Sequence, residues 1–418
     1  MLLSFGIIIL ILLAIDFYGF YGLRKLLKRG LFSRFRKPIL RAYWIMDLGF
    51  ILFAIVWTII IRNSGWPDYV MYRNYFYITG AFILIFLPKI VFLVFNLLDD
   101  ARLLLIWLVE KALQSLRKSP GLRIRTFPLI LNTGFILSLF MFVWVLYAVV
   151  YGRFHFVVEE VTVEVADLPE SFEGLRIIHI TDTHFGSFAR KRPIERAIRI
   201  MKDLPHDLLV FTGDMVNNEA IEAERFVEGF AGLVPELGKF SILGNHDMGD
   251  YRRWYTIEEK AANLEQLKDI QDRMGFTLLR NEHVFIRRGG DSLMIAGVDN
   301  WGEPPFAQYG DLQKALGENA DFPHIMLLSH DPSHWRAEVI PLTHIFLTFS
   351  GHTHAMQAGI NTRWLRWSPV SVKYPEWSGL YREADQMLYV SRGLGYLGFP
   401  GRLGMRPEIT LITLRRAS

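Results

Sequence analysis

The chain has 418 residues, of which 51% are hydrophobic, and its formal net charge is only +4. So small a net charge gives no indication of a nucleic-acid partner. Cysteine is absent, which excludes disulfide bonds, thiolate metal ligands and a cysteine nucleophile. Any metal ion must therefore be held by histidine, carboxylate or amide groups.

Residues 1–151 are predicted to form a transmembrane domain. Crossing a bilayer takes roughly 20 apolar residues, and four segments have this character, at about residues 2–23, 42–61, 75–98 and 128–151. We interpret the first as a retained helix, because it lacks the basic start and the small-residue cleavage site of a signal peptide. We expect Lys89, next to Pro88, to snorkel to the interface, and Asp16 to be either a functional acid or a helix–helix hydrogen-bond partner.

The charges of the loops predict the orientation. Residues 24–41 contain eight lysines and arginines and no acid, and residues 102–125 contain six. Because cytoplasmic loops carry an excess of basic residues, both loops are predicted to be cytoplasmic. Everything after Tyr151 is then outside the cytoplasm, in a multi-pass membrane protein. The apolar stretch 103–116 either follows the interface or extends the third helix.

The second half alternates short β-rich runs with helical patterns, which is typical of layered α/β structure. Polar side chains directly follow five of these runs, and ligands gather at the carboxyl ends of strands in such sheets. The predicted helices cover 194–202 and 220–233. The predicted strands cover 161–165, 175–180, 208–211, 240–243, 293–296, 325–328 and 345–349.

Histidines are concentrated at these strand ends. A single histidine in such a place is more often an ordinary loop or core residue, but five of the twelve follow buried runs, with Asp182, Asp214 and Asn245 in matching positions. We interpret His179, inside a run, as a core residue. The five are His184, His246, His330, His352 and His354.

Imidazole and carboxylate groups suit manganese, iron, zinc and similar divalent ions. Two such ions roughly 3.5–4 Å apart can clamp a phosphate and activate a water molecule. Asp214 is the natural bridge between them, since Gly213 before it permits a tight turn. An extended His352-Thr353-His354 would point both imidazoles to one side.

In chain order, Asp182-x-His184, Gly213-Asp214, Gly244-Asn245-His246-Asp247, His330 and Gly351-His352-x-His354 resemble the full signature of calcineurin-like metallophosphoesterases. The resemblance covers residues 157–418. The tail, at 389–396 and 407–414, is similar to the bacterial membrane-attached branch of YaeI-like or YkuE-like phosphodiesterases. The family implies an α/β four-layer (αββα) sandwich, here following a multi-pass α-helical membrane domain.

The resemblance also implies two divalent metal ions, with manganese, iron or zinc expected. His246 is expected over the phosphate as a catalytic group, and not as a ligand. Many relatives orient this histidine with an acid, where this chain has Asn217, and Asp247 is expected to tie down its loop. Asp182, His184 and His354 are expected to hold one ion, Asn245, His330 and His352 the other, and Asp214 to bridge them.

The expected function is hydrolysis of a phosphoester by a metal-bridging hydroxide. The phosphoester is expected to be a phosphodiester or a lipid-linked phosphate or pyrophosphate. Membrane lipids are the expected partners, and protein partners stay open. One alternative is a soluble periplasmic phosphodiester hydrolase that is merely anchored to the membrane. Another is a catalytically idle metal-binding sensor, although Asp214 and His246 are both present. The aromatic and basic stretch Arg363–Arg382 is either a membrane-facing lip of the site or a packed loop.

Overall fold

The structure, a computed structural model, describes residues 2–28, 33–63, 68–117 and 128–417. They form two compact units, Met1–Gly65 with Ile78–Tyr147, and Trp66–Tyr77 with Ala148–Ser418. The α-helices are α1 Leu2–Leu26, α2 Arg36–Asn63, α3 Tyr69–Arg117, α4 Pro128–Val150, α5 Arg192–Asp203, α6 Ile221–Glu224, α7 Val227–Ala231, α8 Ile257–Arg273, α9 Leu312–Leu316 and α10 Ile340–Leu342. The strands are β1 Val157–Val165, β2 Arg176–Ile180, β3 Leu208–Thr212, β4 Lys239–Ile242, β5 Thr277–Leu278, β6 Glu282–Arg288, β7 Asp291–Gly297, β8 Ile325–Leu328, β9 Leu347–Ser350, β10 Ile360–Asn361, β11 Arg366–Trp367, β12 Gly379–Glu383, β13 Gln386–Val390 and β14 Glu408–Arg416.

Long apolar helices make up the N-terminal part. Within the described ranges, three helical segments are long and apolar enough to cross a membrane: Ser33–Ile60, Tyr69–Gln114 and Leu129–Phe154. Helix α3 continues through Pro88 to Arg117, so stretch 103–116 extends the third helix. The count of four spans, the domain boundaries and the orientation stay predictions. Residues 29 and 118–127, which carry part of the loop charge, lie outside the described residues.

A buried ion-pair cluster lies in the first unit. Lys89 Nζ is 2.9 Å from Asp16 Oδ1 and also pairs with Asp47. Both carboxylates are almost fully buried. The prediction that Lys89 snorkels is therefore wrong, because two acids hold its ammonium group among the helices. Charged groups that leave water are retained when they are paired in this way.

Two six-stranded sheets face each other in the second unit. Their strand orders are β1-β14-β2-β3-β4-β5 and β12-β13-β9-β8-β7-β6. Apolar residues such as Ile177, Val210, Ile295 and Phe349 fill the space between the sheets. Helices α5 to α8 contribute to a second core on the outside of the first sheet, and α9 contributes to a third core on the second sheet. This arrangement confirms the expected αββα layers.

One predicted helix is wrong in detail. The pattern at 220–233 forms two short helices, α6 and α7, which are separated at Arg225 and Phe226. The ring of Phe226 stacks on Phe185 with centroids 4.5 Å apart, and Arg225 donates a hydrogen bond to the Phe185 carbonyl at 3.3 Å. These tertiary contacts bend the chain where the sequence pattern alone favours a continuous helix.

The strand directions create the functional edge of the sandwich. Strands β2, β3 and β4 pair in parallel, and so do β8 and β9. Each of the five ends just before one of the polar motifs, so the motifs follow their carboxyl ends.

Candidate metal centre

The loops that carry the predicted ligands have unusual backbone conformations. At Gly213, φ is +89°, and a Cβ there would lie 2.5 Å from the nitrogen of Gly244, so no larger residue fits. Left-handed backbone in residues other than glycine costs energy and clusters at functional sites. Five of the seven predicted ligands adopt it, with φ of 52° at Asp182, 43° at His184, 57° at Asp214, 66° at His352 and 48° at His354.

These angles contradict the prediction of an extended His352-Thr353-His354. The two imidazoles leave a tight turn and point to different neighbours. His354 Nε2 lies 3.0 Å from His184 Nε2, whereas His352 Nδ1 lies 3.0 Å from Asn245 Oδ1. The turn therefore separates the two imidazoles, which an extended segment would have kept on one side.

One group of possible ligands consists of Asp182, His184 and His354. Asp182 Oδ1 is 3.3 Å from His354 Nε2 and 4.0 Å from His184 Nε2. The three ligand atoms lie within 4.8 Å of one another, and all three residues are buried. They are close enough together to hold one ion.

A second group shares a carboxylate with the first. His330 Nε2 lies 3.2 Å from Asp214 Oδ2 and 4.0 Å from Asp182 Oδ1. Asp214 Oδ2 is also 3.5 Å from His184 Nε2. Asp214 thus lies between His184 and His330, the position that a bridging ligand requires. The rings of His330 and His352 are 5.1 Å apart, which brings His352 and its neighbour Asn245 to the same edge.

The outer nitrogens of two histidines are held by hydrogen bonds. His330 Nδ1 donates to the Thr212 carbonyl at 2.6 Å, so its Nε2 is left for the carboxylates. His352 Nε2 lies 3.0 Å from the Tyr374 hydroxyl, so its Nδ1 is left for Asn245. Such outer bonds fix the ring orientation and tautomer of metal-ligating histidines.

The electrostatics of this cluster favour a cation. Burial raises the pKa of Asp182 to about 7 and lowers the pKa of His184 to about 3. Burial opposes the charge of His330 as well, but Asp214 beside it raises that pKa to about 10. The cluster therefore stabilises a positive charge between its carboxylates, which a divalent ion would supply while displacing the proton.

Two polar atoms of the cluster support the same conclusion. Asp182 Oδ1 and His330 Nε2 are buried, and within the described residues neither forms a hydrogen bond of good geometry, although an ionisable neighbour lies 3.3 Å and 3.2 Å away, respectively. Buried polar groups are otherwise almost always satisfied. Since both atoms face the same cluster of donors, the residues present fit a metal site, and manganese, iron and zinc all match this mixture of nitrogen and oxygen.

His246 is oriented by a backbone carbonyl. Its Nδ1 donates to the Asn217 carbonyl oxygen at 2.7 Å, and its backbone N–H donates to Asp214 Oδ1 at 2.8 Å. Asn217 therefore fills the position of the relatives' acid with its main chain. Its side-chain oxygen instead accepts from Ser187 Oγ at 3.3 Å.

Two buried acids brace the loops. Asp247 accepts backbone N–H bonds from Asp214, Met215, Val216 and Gly244 at 2.8–3.1 Å, which confirms its expected structural role. Glu222, which the sequence analysis missed, accepts from Gly186, Asn217, Asn218 and Glu219 at 2.6–3.1 Å.

Arg402 was missed as well. It is 1% exposed and donates to the carbonyls of His354, Arg392, Gly393 and Gly395. The sequence signal for Glu222 is an acid on the inward-facing side of a predicted helix. The sequence carries no comparable signal for Arg402.

The stretch Arg363–Arg382 divides into two parts. Tyr374 and Trp377 are buried and pack with Ala355 and Met405, so the prediction that the whole stretch is a lip is wrong for them. Trp364 is 88% exposed and Trp367 is 50% exposed. These two belong to the hairpin of β10 and β11, and this exposed hairpin is a candidate for a lip.

His179 is a core residue, as predicted. It is fully buried, and its Nε2 lies 2.8 Å from Thr212 Oγ1. Burial lowers its pKa to about 3, so it remains neutral and takes no part in the cluster.

Comparison with known proteins gives the family. Residues 175–356 match the family model described as calcineurin-like phosphoesterase. Residues 1–153 match the model for the transmembrane domain of calcineurin-like phosphoesterases. The chain belongs to the calcineurin-like metallophosphoesterases. With its apolar helices, it is an integral membrane protein.

Three relatives illustrate the similarity of this metallophosphoesterase. A transmembrane protein with metallophosphoesterase domain from Danio rerio is 30% identical over 62% of this chain. The matched region spans 57% of that relative's own length. The uncharacterized metallophosphoesterase YkuE of Bacillus subtilis is 28% identical over 61% of this chain and 84% of its own. The UDP-2,3-diacylglucosamine pyrophosphatase LpxG of Chlamydia trachomatis is 27% identical over 55% of this chain and 81% of its own.

Proposed function

We propose that this chain is a membrane-anchored, dinuclear-metal phosphoesterase. The observation that carries the proposal is the position of Asp214, whose Oδ2 lies 3.5 Å from His184 and 3.2 Å from His330. A single carboxylate between two nitrogen ligands suits a pair of ions better than one ion. The family supplies the reaction class, hydrolysis of a phosphoester.

The ligands divide into two sets on this proposal. When bound, the two ions would polarise the phosphoryl group and lower the pKa of a water molecule. The buried cluster keeps the ligands in place before the substrate arrives, and left-handed backbone orients five of the seven side chains. One set is Asp182, His184 and His354, the other is Asn245, His330 and His352, and Asp214 belongs to both.

His246 acts on the substrate itself. Its Nδ1–H donates a hydrogen bond to the Asn217 carbonyl oxygen, so its Nε2 is the atom left for the substrate. From there it can stabilise a phosphoryl oxygen or protonate the leaving oxygen. Its ring lies 5.0 Å from that of His184, so it lies close to the ligand group without belonging to it.

We further propose a substrate at the membrane surface, a lipid-linked phosphate, pyrophosphate or phosphodiester. The exposed hairpin supports this. Gly359, just before β10, donates to the Leu403 carbonyl at 2.9 Å, and the neighbouring Arg402 donates to the Ala148 carbonyl in the last turn of α4. The hairpin is therefore close to the end of a membrane helix, where exposed tryptophans favour the interface.

Two candidate substrates remain besides this one. A soluble phosphodiester would need the membrane only as an anchor. A nucleotide-linked lipid is favoured by the similarity to LpxG, whose name gives UDP-2,3-diacylglucosamine as its substrate. It would require a cytoplasmic site, whereas the loop charges predict one outside the cytoplasm. A fusion experiment decides between these orientations. An alkaline phosphatase that is active only in the periplasm is fused after Ser418. An active fusion supports our orientation, and an inactive one supports the nucleotide-linked lipid.

A substrate panel tests the proposed activity. The purified full chain with manganese is assayed against a soluble chromogenic diester and monoester, a lipid phosphate and UDP-diacylglucosamine. Asp214→Ala should abolish every activity, and His246→Ala should lower turnover by roughly 10²–10⁴ with both ions retained. The control is His344→Ala, which removes an exposed imidazole that donates to the Phe322 carbonyl at 3.0 Å. Full activity in Asp214→Ala would contradict the proposal.

A further inference from the structure

A cavity of about 650 Å³ lies in the second unit, apart from the predicted metal ligands. None of those ligands lines it. Its wall is aromatic, and the Arg153 guanidinium lies over the rings of Tyr77, Phe154 and Tyr396 at 4.6–5.6 Å. Five arginines surround it: Arg153, Arg190, Arg192, Arg196 and Arg199.

The positive charge of this cavity is uncompensated. Across the described ranges, none of its five arginines has a carboxylate within ion-pair distance. The Nε of Arg153 is buried, and no partner for it occurs among those residues. Five guanidinium groups around one space repel each other, which an anion would relieve. Guanidinium forks match phosphate oxygens best, because they can donate two parallel hydrogen bonds.

The cavity lies at the end of a membrane helix. Arg153 and Phe154 follow α4 by three and four residues, and the apolar span Leu129–Phe154 ends with them. A chain advances at most about 3.6 Å per residue, so Arg153 remains within about 11 Å of Val150. Tyr77 is in the first turns of α3, another membrane helix. We expect lipid head groups at the ends of such membrane helices.

We propose that the cavity binds the phosphate of an anionic membrane lipid, at a site separate from the metal centre. The arginines hold the phosphate, and the aromatic wall receives the adjoining part of the head group, as aromatic side chains do at bilayer interfaces. The bound lipid would also contact the metal-bearing loop, since Phe188 lines the cavity and Tyr396 donates to the Ser187 carbonyl at 2.6 Å.

Lipid titration of the purified full chain tests this proposal. Dioctanoyl phosphatidylglycerol, dioctanoyl phosphatidylcholine and inorganic phosphate are added separately, and binding is followed by native mass spectrometry. Wild type should bind the glycerol lipid at least about tenfold more tightly than the choline lipid. In Arg196→Gln/Arg199→Gln that affinity should fall about 25-fold, roughly fivefold for each basic residue lost near a membrane surface.

A matched control removes two positive charges elsewhere. Lys202 lies on the same helix and Arg287 on the far strand β6, both exposed and neither lining the cavity. Lys202→Gln/Arg287→Gln should bind phosphatidylglycerol as wild type does. Both double variants should keep wild-type turnover of a soluble diester. If Arg196→Gln/Arg199→Gln loses that turnover, Arg196→Lys/Arg199→Lys replaces it. Its affinity for phosphatidylglycerol should fall by only about threefold, because the charge remains and the guanidinium fork does not.

Three results would overturn the proposal. Unchanged phosphatidylglycerol binding in the cavity variants would place the lipid elsewhere. Equal affinity for phosphatidylcholine would mean that acyl chains, and not anionic phosphate, are recognised. Inorganic phosphate that binds as tightly as the lipid would make this a site for free phosphate.

Discussion

Glu222→Gln should separate the geometry of the site from its chemistry. Glu222 accepts four backbone N–H bonds, two at each carboxylate oxygen, and an amide group in place of one oxygen leaves two N–H groups without an acceptor. One of the four belongs to Asn217, whose carbonyl orients His246. The substitution therefore loosens the group that holds the catalytic imidazole.

The magnitude follows from the two lost bonds. A buried donor without a partner costs about 1–3 kcal/mol, so the free energy of unfolding should fall by about 2–6 kcal/mol. For a domain of this size, that lowers the melting temperature by about 5–20 °C. A misplaced catalytic group costs up to about 10²-fold in rate, so kcat should fall by about 10- to 100-fold.

The assay combines melting temperature, kcat, KM and bound metal in detergent. Glu222→Gln should retain both ions and an unchanged KM, because Glu222 touches no predicted ligand. The control is Glu224→Gln in the same short helix, where the side chain is exposed and pairs with Arg273; it should change none of these quantities. A lower melting temperature with unchanged kcat would refute the reasoning, since Glu222 would then stabilise the loop without positioning His246.

Three further predictions concern other parts of the chain. Tyr374→Phe removes the hydroxyl group beside His352 Nε2 and should weaken binding of the second ion by about 10- to 100-fold in a metal titration. Lys89→Met leaves two buried carboxylates unpaired and should lower the free energy of unfolding by about 3–5 kcal/mol, measured as thermal stability in detergent. Trp364→Ala/Trp367→Ala should lower lipid phosphate hydrolysis by roughly 25-fold, at about 1 kcal/mol per lost ring, and leave a soluble ester unaffected.

Each of these has a control and a contradicting result. For Tyr374, the control is Tyr309→Phe, whose hydroxyl bonds to Asp250 and not to a predicted ligand. Equal metal affinity in both variants would show that the Tyr374 hydroxyl does not support binding of the second ion. For Lys89, the control is Lys111→Met, an exposed lysine of the same helix. In the Lys89→Met background, changing both Asp16 and Asp47 to asparagine should restore stability. If stability is not restored, the ion pairs are not what holds these helices together. Equal loss on both substrates would show that the two tryptophans act through folding.

The candidate site could largely be located from the sequence, because its signal is local. Asp182, Asp214 and His330 each follow a short apolar run directly, and parallel strands bring their carboxyl ends to one edge. That pattern is visible in a single sequence. The same locality explains why seven of the fourteen described strands, β1 to β4 and β7 to β9, were predicted within a few residues of their observed bounds.

The parts that the sequence could not predict depend on distant contacts. Lys89 was expected at the interface because its two acid partners belong to other helices. Glu222 is bonded to N–H groups up to 36 residues away, and Arg402 reaches a carbonyl 48 residues away. Trp377 is buried by Met405 and its neighbours, which composition alone cannot distinguish from an exposed tryptophan.

The number of ions needed for turnover distinguishes a dinuclear centre from a mononuclear one. Metal-free full-length protein is titrated with manganese while bound metal and hydrolysis of a chromogenic diester are followed together. Activity should rise with the second ion and reach its maximum at two ions per chain. Maximal activity with one ion per chain, or undiminished activity with an excess of chelator, would contradict a dinuclear centre.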